Sequence, residues 1–212
     1  MPSQPRPDSA PLTWQPSLLA GESEPAIDDG FATLTRLELD ETAWIDHAPG
    51  WVSGSDEVFR CLLDEAPWQH HVVAMYGRMV DQPRLTAWWR LESEEQPFLP
   101  IVNDMRVALS HRYGVVLDSV GLNLYRDGRD SVAWHGDRIA REVDDPLVAI
   151  VSVGEPRRFL LRPLSGGSSR VLLLGRGDLL VTGGTCQRTW QHAVPKLAKA
   201  GPRISITFRH SA

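Results

Sequence analysis

The stretch Arg203-Ile204-Ser205-Ile206-Thr207-Phe208-Arg209 alternates polar and apolar residues without a break. A period of two belongs to a β-strand, whose successive side chains point to opposite faces. One face then carries Arg203, Ser205, Thr207 and Arg209, and the other carries Ile204, Ile206 and Phe208, as in a half-buried strand. Two arginines on an inward face are costly to bury without partners. Structural ion pairs would satisfy them. So would a bound carboxylate, which the guanidinium fork matches through two parallel hydrogen bonds. A second alternating run, Leu122-Asn123-Leu124-Tyr125, sets an amide and a phenol side by side in the same way.

Outward from that strand, short apolar runs dominate the C-terminal half. Strands are predicted over 115–125, 131–135, 147–153, 157–162, 170–174, 178–182, 188–193 and 203–209. Turn signals such as Asp127-Gly128, Gly166-Gly167 and Gly175-Arg176-Gly177 separate them. Two helices precede this region. One covers 55–65, capped by Ser55, with Val58, Phe59, Leu62 and Leu63 on one side. The other opens at Pro100, carries Ile101, Met105, Ala108 and Leu109 as its apolar stripe, and ends at Gly114. The expected class is mainly β with flanking helices, a jelly roll in architecture. Residues 1–12 are expected to be a loose tail, since Pro2, Pro5, Pro7 and Pro11 fall there among polar side chains.

Two features carry chemistry. His135-Gly136-Asp137 is followed, well downstream, by His192. Two imidazoles and a carboxylate can hold one face of an octahedral ferrous ion and leave the other face open for an organic acid and dioxygen. The arginines of 203–209 suit that acid. His47, His70, His71, His111 and His210 are read as non-ligands; His70 and His71 in particular would point to opposite faces of a strand.

Composition bounds the rest. A chain of 212 residues can build one core. Cys61 and Cys186, without paired spacing, suggest a reducing cytosol, and a cytoplasmic location is expected. No apolar run approaches the length of a membrane span and no signal-like segment opens the chain, so neither membrane insertion nor secretion is expected. The net charge of −5 hides an asymmetry. Residues 1–105 hold 6 basic and 18 acidic side chains, a balance of −12, whereas residues 106–212 hold 16 and 9, a balance of +7. Cationic charge gathers in the half with the candidate metal motif, where a phosphate backbone would lie.

Several segments together resemble the AlkB family of Fe(II)- and 2-oxoglutarate-dependent nucleic-acid dealkylases. They are Gly121-Leu-Asn-Leu-Tyr125-Arg-Asp-Gly128, Trp134-His-Gly-Asp137, Val151-Ser-Val-Gly154, Gly177-Asp-Leu-Leu180, Trp190-Gln-His-Ala-Val-Pro195 and Pro202-Arg-Ile-Ser-Ile-Thr-Phe-Arg209. Upstream, Pro83-Arg84-Leu-Thr-Ala-Trp88-Trp89 resembles the substrate-lid segment of one branch. The resemblance runs over roughly residues 72–209 and implies a double-stranded β-helix core behind an N-terminal nucleotide-recognition lid. It implies the division 13–105 for extension and lid and 106–212 for the dioxygenase core, within one compact domain. His135, Asp137 and His192 match the iron ligands. Arg203, with Tyr125, matches the partner of the distal carboxylate of 2-oxoglutarate; Asn123 and Arg209 match groups near its keto-acid end, and Ser205 stands beside the co-substrate where some members carry an asparagine. Arg84 and an aromatic ring would hold an extruded base; the ring is expected to be Trp89, ahead of Trp88 and Tyr76. The implied reaction, a repair of alkylation damage, consumes O2 and 2-oxoglutarate, releases succinate and CO2, and removes an N-alkyl group as an aldehyde.

The sequence departs from the family's pattern in three places. Ile139 occupies the position where several relatives carry a base-reading acid, Ser205 replaces an asparagine, and the acidic run after Trp89 stands where many members have an aromatic hairpin. The expected substrate is thus alkylated DNA or RNA, single strands preferred, with little selectivity among bases, for an enzyme acting as a monomer. An oxygenase of the same fold acting on a protein side chain or small metabolite is the alternative. An idle binding module is disfavoured by the complete metal and keto-acid sets.

Overall fold

The structure, a computed structural model, describes Leu12 and residues 24–75, 77–90, 99–137, 143 and 145–210. Residues 1–11 of the expected tail and Ile139 lie outside them, while Leu12, the last residue of that tail, is partly buried against the hydrophobic core. No helix among the described residues is long and apolar enough to cross a membrane.

Among the described residues, three antiparallel sheets organise the chain. The largest has eight strands, ordered β2 (Thr35–Glu38), β3 (Ala43–Ala48), β12 (Asp178–Gly184), β9 (Val148–Gly154), β14 (Arg203–Arg209), β7 (Ser119–Tyr125), β6 (Arg78–Arg90) and β5 (Gln69–Met75). The second has four, ordered β11 (Arg170–Leu174), β10 (Arg157–Pro163), β13 (Trp190–Val194) and β8 (Val132–His135). The pair β1 (Ala26–Ile27) and β4 (Val52–Ser53) forms a third. This is the two-sheet jelly roll expected from the strand pattern, bordered by α1 (Ser55–Glu65) and α2 (Pro100–Tyr113).

The two faces of the eight-stranded sheet have different partners. Ile204, Ile206 and Phe208 of β14 join Leu122 and Leu124 of β7 in a core shared with Phe59 and Leu62 of α1 and Met105 and Leu109 of α2. The opposite face meets the four-stranded sheet in a second, smaller core that includes Tyr125, Ile150, Phe159, Leu161 and Val194. The β14 alternation therefore sorts its residues as expected, but the strand is not half-buried. Every position from Arg203 to Phe208 is buried, because β14 pairs with β9 on one side and β7 on the other and both its faces are covered.

Local readings differ from the structure in instructive ways. The first helix has Gly54 as its N-cap, with no side-chain cap bond, so Ser55 is the first helical residue and not the cap. On α2 the buried residues are Val102, Met105 and Leu109, with Ile101 and Ala108 only partly buried. The strand expected over 115–125 begins at Ser119, and that expected over 188–193 begins at Trp190, after the single turn α3 (Cys186–Thr189).

The strands before α2 had no sequence expectation. The longest, β6, has 13 residues and contains Pro83, which cannot donate to a ladder. The chain tolerates it because the β5–β6 register shifts beside it, between His70 and Val72, while the β6–β7 ladder starts only at Leu85. Strands from both halves of the chain share the large sheet, and residue 105 falls inside α2.

Candidate metal and keto-acid site

Between the two sheets lies a cavity of about 490 Å³. One wall is the polar face of β14 and β7, with Arg203, Ser205, Thr207, Arg209, Asn123 and Tyr125; Arg84 of β6 extends it. The other wall carries His135, Asp137, His192 and Phe159. The residues singled out in the sequence for metal and co-substrate thus meet in one space.

The histidines are brought together by strand pairing. His135 of β8 is registered opposite His192 of β13, and their rings lie 4.3 Å apart between centroids. The residues just before each histidine are also tied. The Arg162 guanidinium lies 4.1 Å from the Trp134 ring centroid and donates to Gln191 Oε1 at 3.2 Å. Asp137 follows β8 and brings its carboxylate to the same point. One ligand atom from each of His135, Asp137 and His192 falls within 4.8 Å of the others, and among the described residues these three form the one such group. The remaining described histidines belong to no such group.

Protonation suits a cation here. His135 Nδ1 lies 2.8 Å from Ala133 O; a carbonyl only accepts, so Nδ1 is the donor and Nε2 is the nitrogen left for a cation. His192 is 8% exposed, stacks on Phe159 at 5.2 Å, and burial pushes its pKa down to about 4, which favours the neutral ring. For Asp137, burial works to raise the pKa. The Arg209 guanidinium, through its charge and its hydrogen bonds, outweighs it and holds the carboxyl below the usual range. The ion pair is direct, with Arg209 Nη2 donating to Asp137 Oδ1 at 3.1 Å and Nε to Oδ2 at 3.3 Å.

The arginines of β14 divide between the two sequence readings. Arg209 has its ion pair. Arg203 is 1% exposed, donates from Nη2 to Ser152 Oγ at 2.6 Å, and leaves Nε and Nη1 without a hydrogen-bond partner among the described residues. Burial depresses its pKa. A buried guanidinium with free donors in a cavity is a ready partner for a carboxylate. The fit to a metal and a keto-diacid is therefore good: three ligands stand on one wall and a cation with two free donors on the other. Tyr125 lies between Arg203, 5.3 Å from its ring, and the fully buried Arg157, 5.7 Å away. Arg157 donates to the backbone oxygens of Asp127, Asp130 and Pro195. Toward β6, Arg84 Nε donates to Asn123 Oδ1 at 2.9 Å, and Asn123 Nδ2 donates to Ser205 Oγ at 3.4 Å.

The expected aromatic ring requires correction. Trp89 is 7% exposed and lies in the helix-side core, on the face of β6 turned away from the cavity. Trp88, 54% exposed, points the other way. It pairs with Gly121, where a Cβ would meet Arg209 Nη1 at 3.3 Å and Trp88 Cδ1 at 3.4 Å. The indole and the Arg209 guanidinium thus share the space above a glycine. Period-two alternation along β6 would have separated the two tryptophans had the strand been recognised through Pro83. Tyr76 lies outside the described residues. Sequence reasoning also missed Ser152, Phe159, Arg157 and Gln187. Ser152 had a signal, as the one hydroxyl in the apolar run Val148–Val153; Gln187 had none.

Comparison with known proteins agrees with the geometry. The family model of the 2OG-Fe(II) oxygenase superfamily matches residues 47–209. The alpha-ketoglutarate-dependent dioxygenase alkB homolog 3 of Bos taurus is 34% identical over 182 residues, covering 76% of this chain and 64% of its own length. The Homo sapiens protein of that name is 32% identical over 182 residues with the same coverage. The DNA oxidative demethylase ALKBH2 of Arabidopsis thaliana is 30% identical over 189 residues, covering 71% of this chain and 60% of its own. The chain thus spans less than two thirds of the length of these relatives. The solved structure of OsALKBH1 superposes with a TM-score of 0.56 at 14% identity, covering 83% of this chain and all of that one, a likeness of fold. The chain belongs to the 2OG-Fe(II) oxygenase superfamily, and its resemblance to the AlkB family is borne out. Fe(II), 2-oxoglutarate and O2 are the reagents of that superfamily's chemistry, and the cavity holds the side chains to receive them.

The buried His192 predicts an acid sensitivity in metal-free protein. Between about 4 and 6.5 the unfolded chain binds a proton at this imidazole that the folded chain refuses. Stability is therefore lost as pH falls through that window, by up to about 3 kcal/mol. Urea unfolding of chelator-treated protein between neutral pH and the lower end of that window should show this loss, and His192→Gln should flatten it. An equal pH dependence in the variant contradicts the assignment.

Proposed function

We propose that this protein oxidatively removes N-alkyl groups from bases of DNA or RNA, coupled to conversion of 2-oxoglutarate to succinate and CO2. The observation that carries this reading is the cavity itself, with a three-ligand cluster on one wall, Arg203 with its free Nε and Nη1 on the other, and an exposed indole beside Arg209. The names of the relatives support the substrate class, since one is called a DNA oxidative demethylase.

In this reading His135, Asp137 and His192 hold Fe(II), which supplies the activation of O2 and the oxidation of the alkyl carbon. Arg203 binds the distal carboxylate of 2-oxoglutarate, and its free Nε and Nη1 are the donors for it. Tyr125 and Ser205 line that end, while Asn123 and Arg209 flank the keto-acid end. Ser205 can donate one bond where an amide would offer two. Arg84 and Trp88 stand toward the base, which must leave its stack to enter. Single strands are the better substrates, because extruding a base from a duplex costs a few kcal/mol.

Formaldehyde release from methylated single-stranded DNA, methylated RNA and a no-substrate control tests the proposal. The wild type releases formaldehyde with an oligonucleotide present, and Asp137→Ala, lacking the one anionic ligand, does not. Uncoupled loss of 2-oxoglutarate without formaldehyde from any oligonucleotide would shift the assignment to a protein or metabolite substrate.

Arg203→Ala should raise the concentration of 2-oxoglutarate needed for half-maximal rate by roughly 10- to 150-fold, the equivalent of ~1.5–3 kcal/mol for charged hydrogen bonds. The requirement for oligonucleotide should move far less. Equal shifts in both would remove the specific role.

Trp88→Ala should slow turnover of a methylated oligonucleotide by the equivalent of ~1–3 kcal/mol while leaving uncoupled 2-oxoglutarate decay intact. Trp89→Ala should instead lower the melting temperature, as expected for a buried aromatic. The reverse assignment of effects would return the stacking role to Trp89.

A further inference from the structure

Asp137 is the one candidate metal ligand that no regular element carries. His135 ends β8 and His192 lies within β13, but Asp137 stands beyond the last paired residue of β8. A backbone position outside any ladder is held in place only where its polar groups are satisfied elsewhere. The Asp137 N–H donates to Gln187 Oε1 at 3.0 Å. Through Nε2 the same amide donates to Thr182 Oγ1 at 2.8 Å, and that hydroxyl donates to Val148 O at 3.3 Å. Gln187 and Thr182 are 5% and 1% exposed. One buried amide therefore links the ligand's backbone to β12 and β9, two inner strands of the large sheet. The turn bearing Gln187 also presses on the spacer of the motif, since a Cβ at Gly136 would lie 2.9 Å from Gln187 O.

We infer that Gln187 is a positioning residue for the metal, which sets where the Asp137 carboxylate stands before a cation arrives. The inference rests on the reading of His135, Asp137 and His192 as Fe(II) ligands. Asp137 has a second support in Arg209, but the two supports differ in kind. Arg209 bonds the carboxylate oxygens, the same atoms a metal would take, and would share them with a bound cation. Gln187 bonds the backbone N–H, which metal binding leaves untouched. Arg209 is thus the support whose atoms a metal would share, and Gln187 the one apart from them. Gln187 acts on the metal through Asp137. Its anchor runs to Thr182 and not to the co-substrate arginine, so its loss should weaken Fe(II) more than 2-oxoglutarate.

Anaerobic equilibrium dialysis of Fe(II) against the full chain decides the matter, alongside the melting temperature of the metal-free protein. Gln187→Met keeps the length of the side chain and removes both of its polar contacts. Fe(II) affinity should fall by about 10-fold or more, as for other groups that orient a metal ligand. Thr182→Val removes only the far anchor and should give a smaller loss at a nearly unchanged melting temperature. A lowered melting temperature with wild-type Fe(II) affinity would overturn the inference while leaving the metal site standing. Should Gln187→Met fail to fold, Thr182→Val decides alone, and unchanged Fe(II) affinity there overturns the positioning role. A wild-type chain that binds no Fe(II) would instead remove the metal reading on which the inference rests.

Discussion

The burial of Arg203 on a central strand is the constraint around which the cavity is organised. A guanidinium taken out of water without a counter-charge costs several kcal/mol. Here it donates to Ser152 and lies near Tyr125, with no carboxylate among its hydrogen-bond partners in the described residues. The strand cannot shift to relieve it, because β14 is hydrogen-bonded along its length to β9 and β7. The cost must be met by the rest of the fold, and the apolar face of the same strand is where much of it is met. Ile204, Ile206 and Phe208 are fully buried against the helix-side core. A one-residue slip would exchange these faces, so hydrophobic packing and the placing of Arg203 hold a single register between them.

The four-stranded sheet completes the site from the other side. Its contribution depends less on burial than on pairing. His135 and His192 meet because β8 and β13 are neighbours, and the contacts of Arg162 with Trp134 and Gln191 brace the same two strands. Asp137 then meets the guanidinium of Arg209. Arg209 keeps it ionised despite its enclosure, and burial keeps His192 neutral. Opposite environments thus bring neighbouring groups to the protonation states that a divalent cation accepts.

On β6, next to the edge strand β5, the two faces of one strand differ in use. Trp89 packs inward against the helices and Trp88 stands outward beside Arg209, adjacent in sequence and on opposite faces. The pair shows why counting aromatics says little about their use. Each indole takes its role from the face of the sheet it occupies.

How much was legible in the sequence follows from which interactions are local. The alternation of residues 203–209 is a property of the chain itself, so it revealed the strand and the grouping of Arg203, Ser205 and Arg209. The motif His135-Gly136-Asp137 and its later His192 revealed the metal chemistry because ligand types are dictated by the ion. What remained hidden depends on partners far apart in sequence. That both faces of β14 are buried follows from the helices on one side of the large sheet and the four-stranded sheet on the other, and its central place is fixed by β7 and β9, with Asn123 and Ser152 both registered opposite Ser205. That Trp88 stands beside Arg209 while Trp89 packs in the helix-side core depends on a strand whose proline sits at a register shift. That Gln187 reaches the Asp137 backbone depends on a single turn far along the chain, placed there by the strands on either side of it. Chain-local patterning determined which residues have the chemistry; the packing of one sheet against another decided which of them meet.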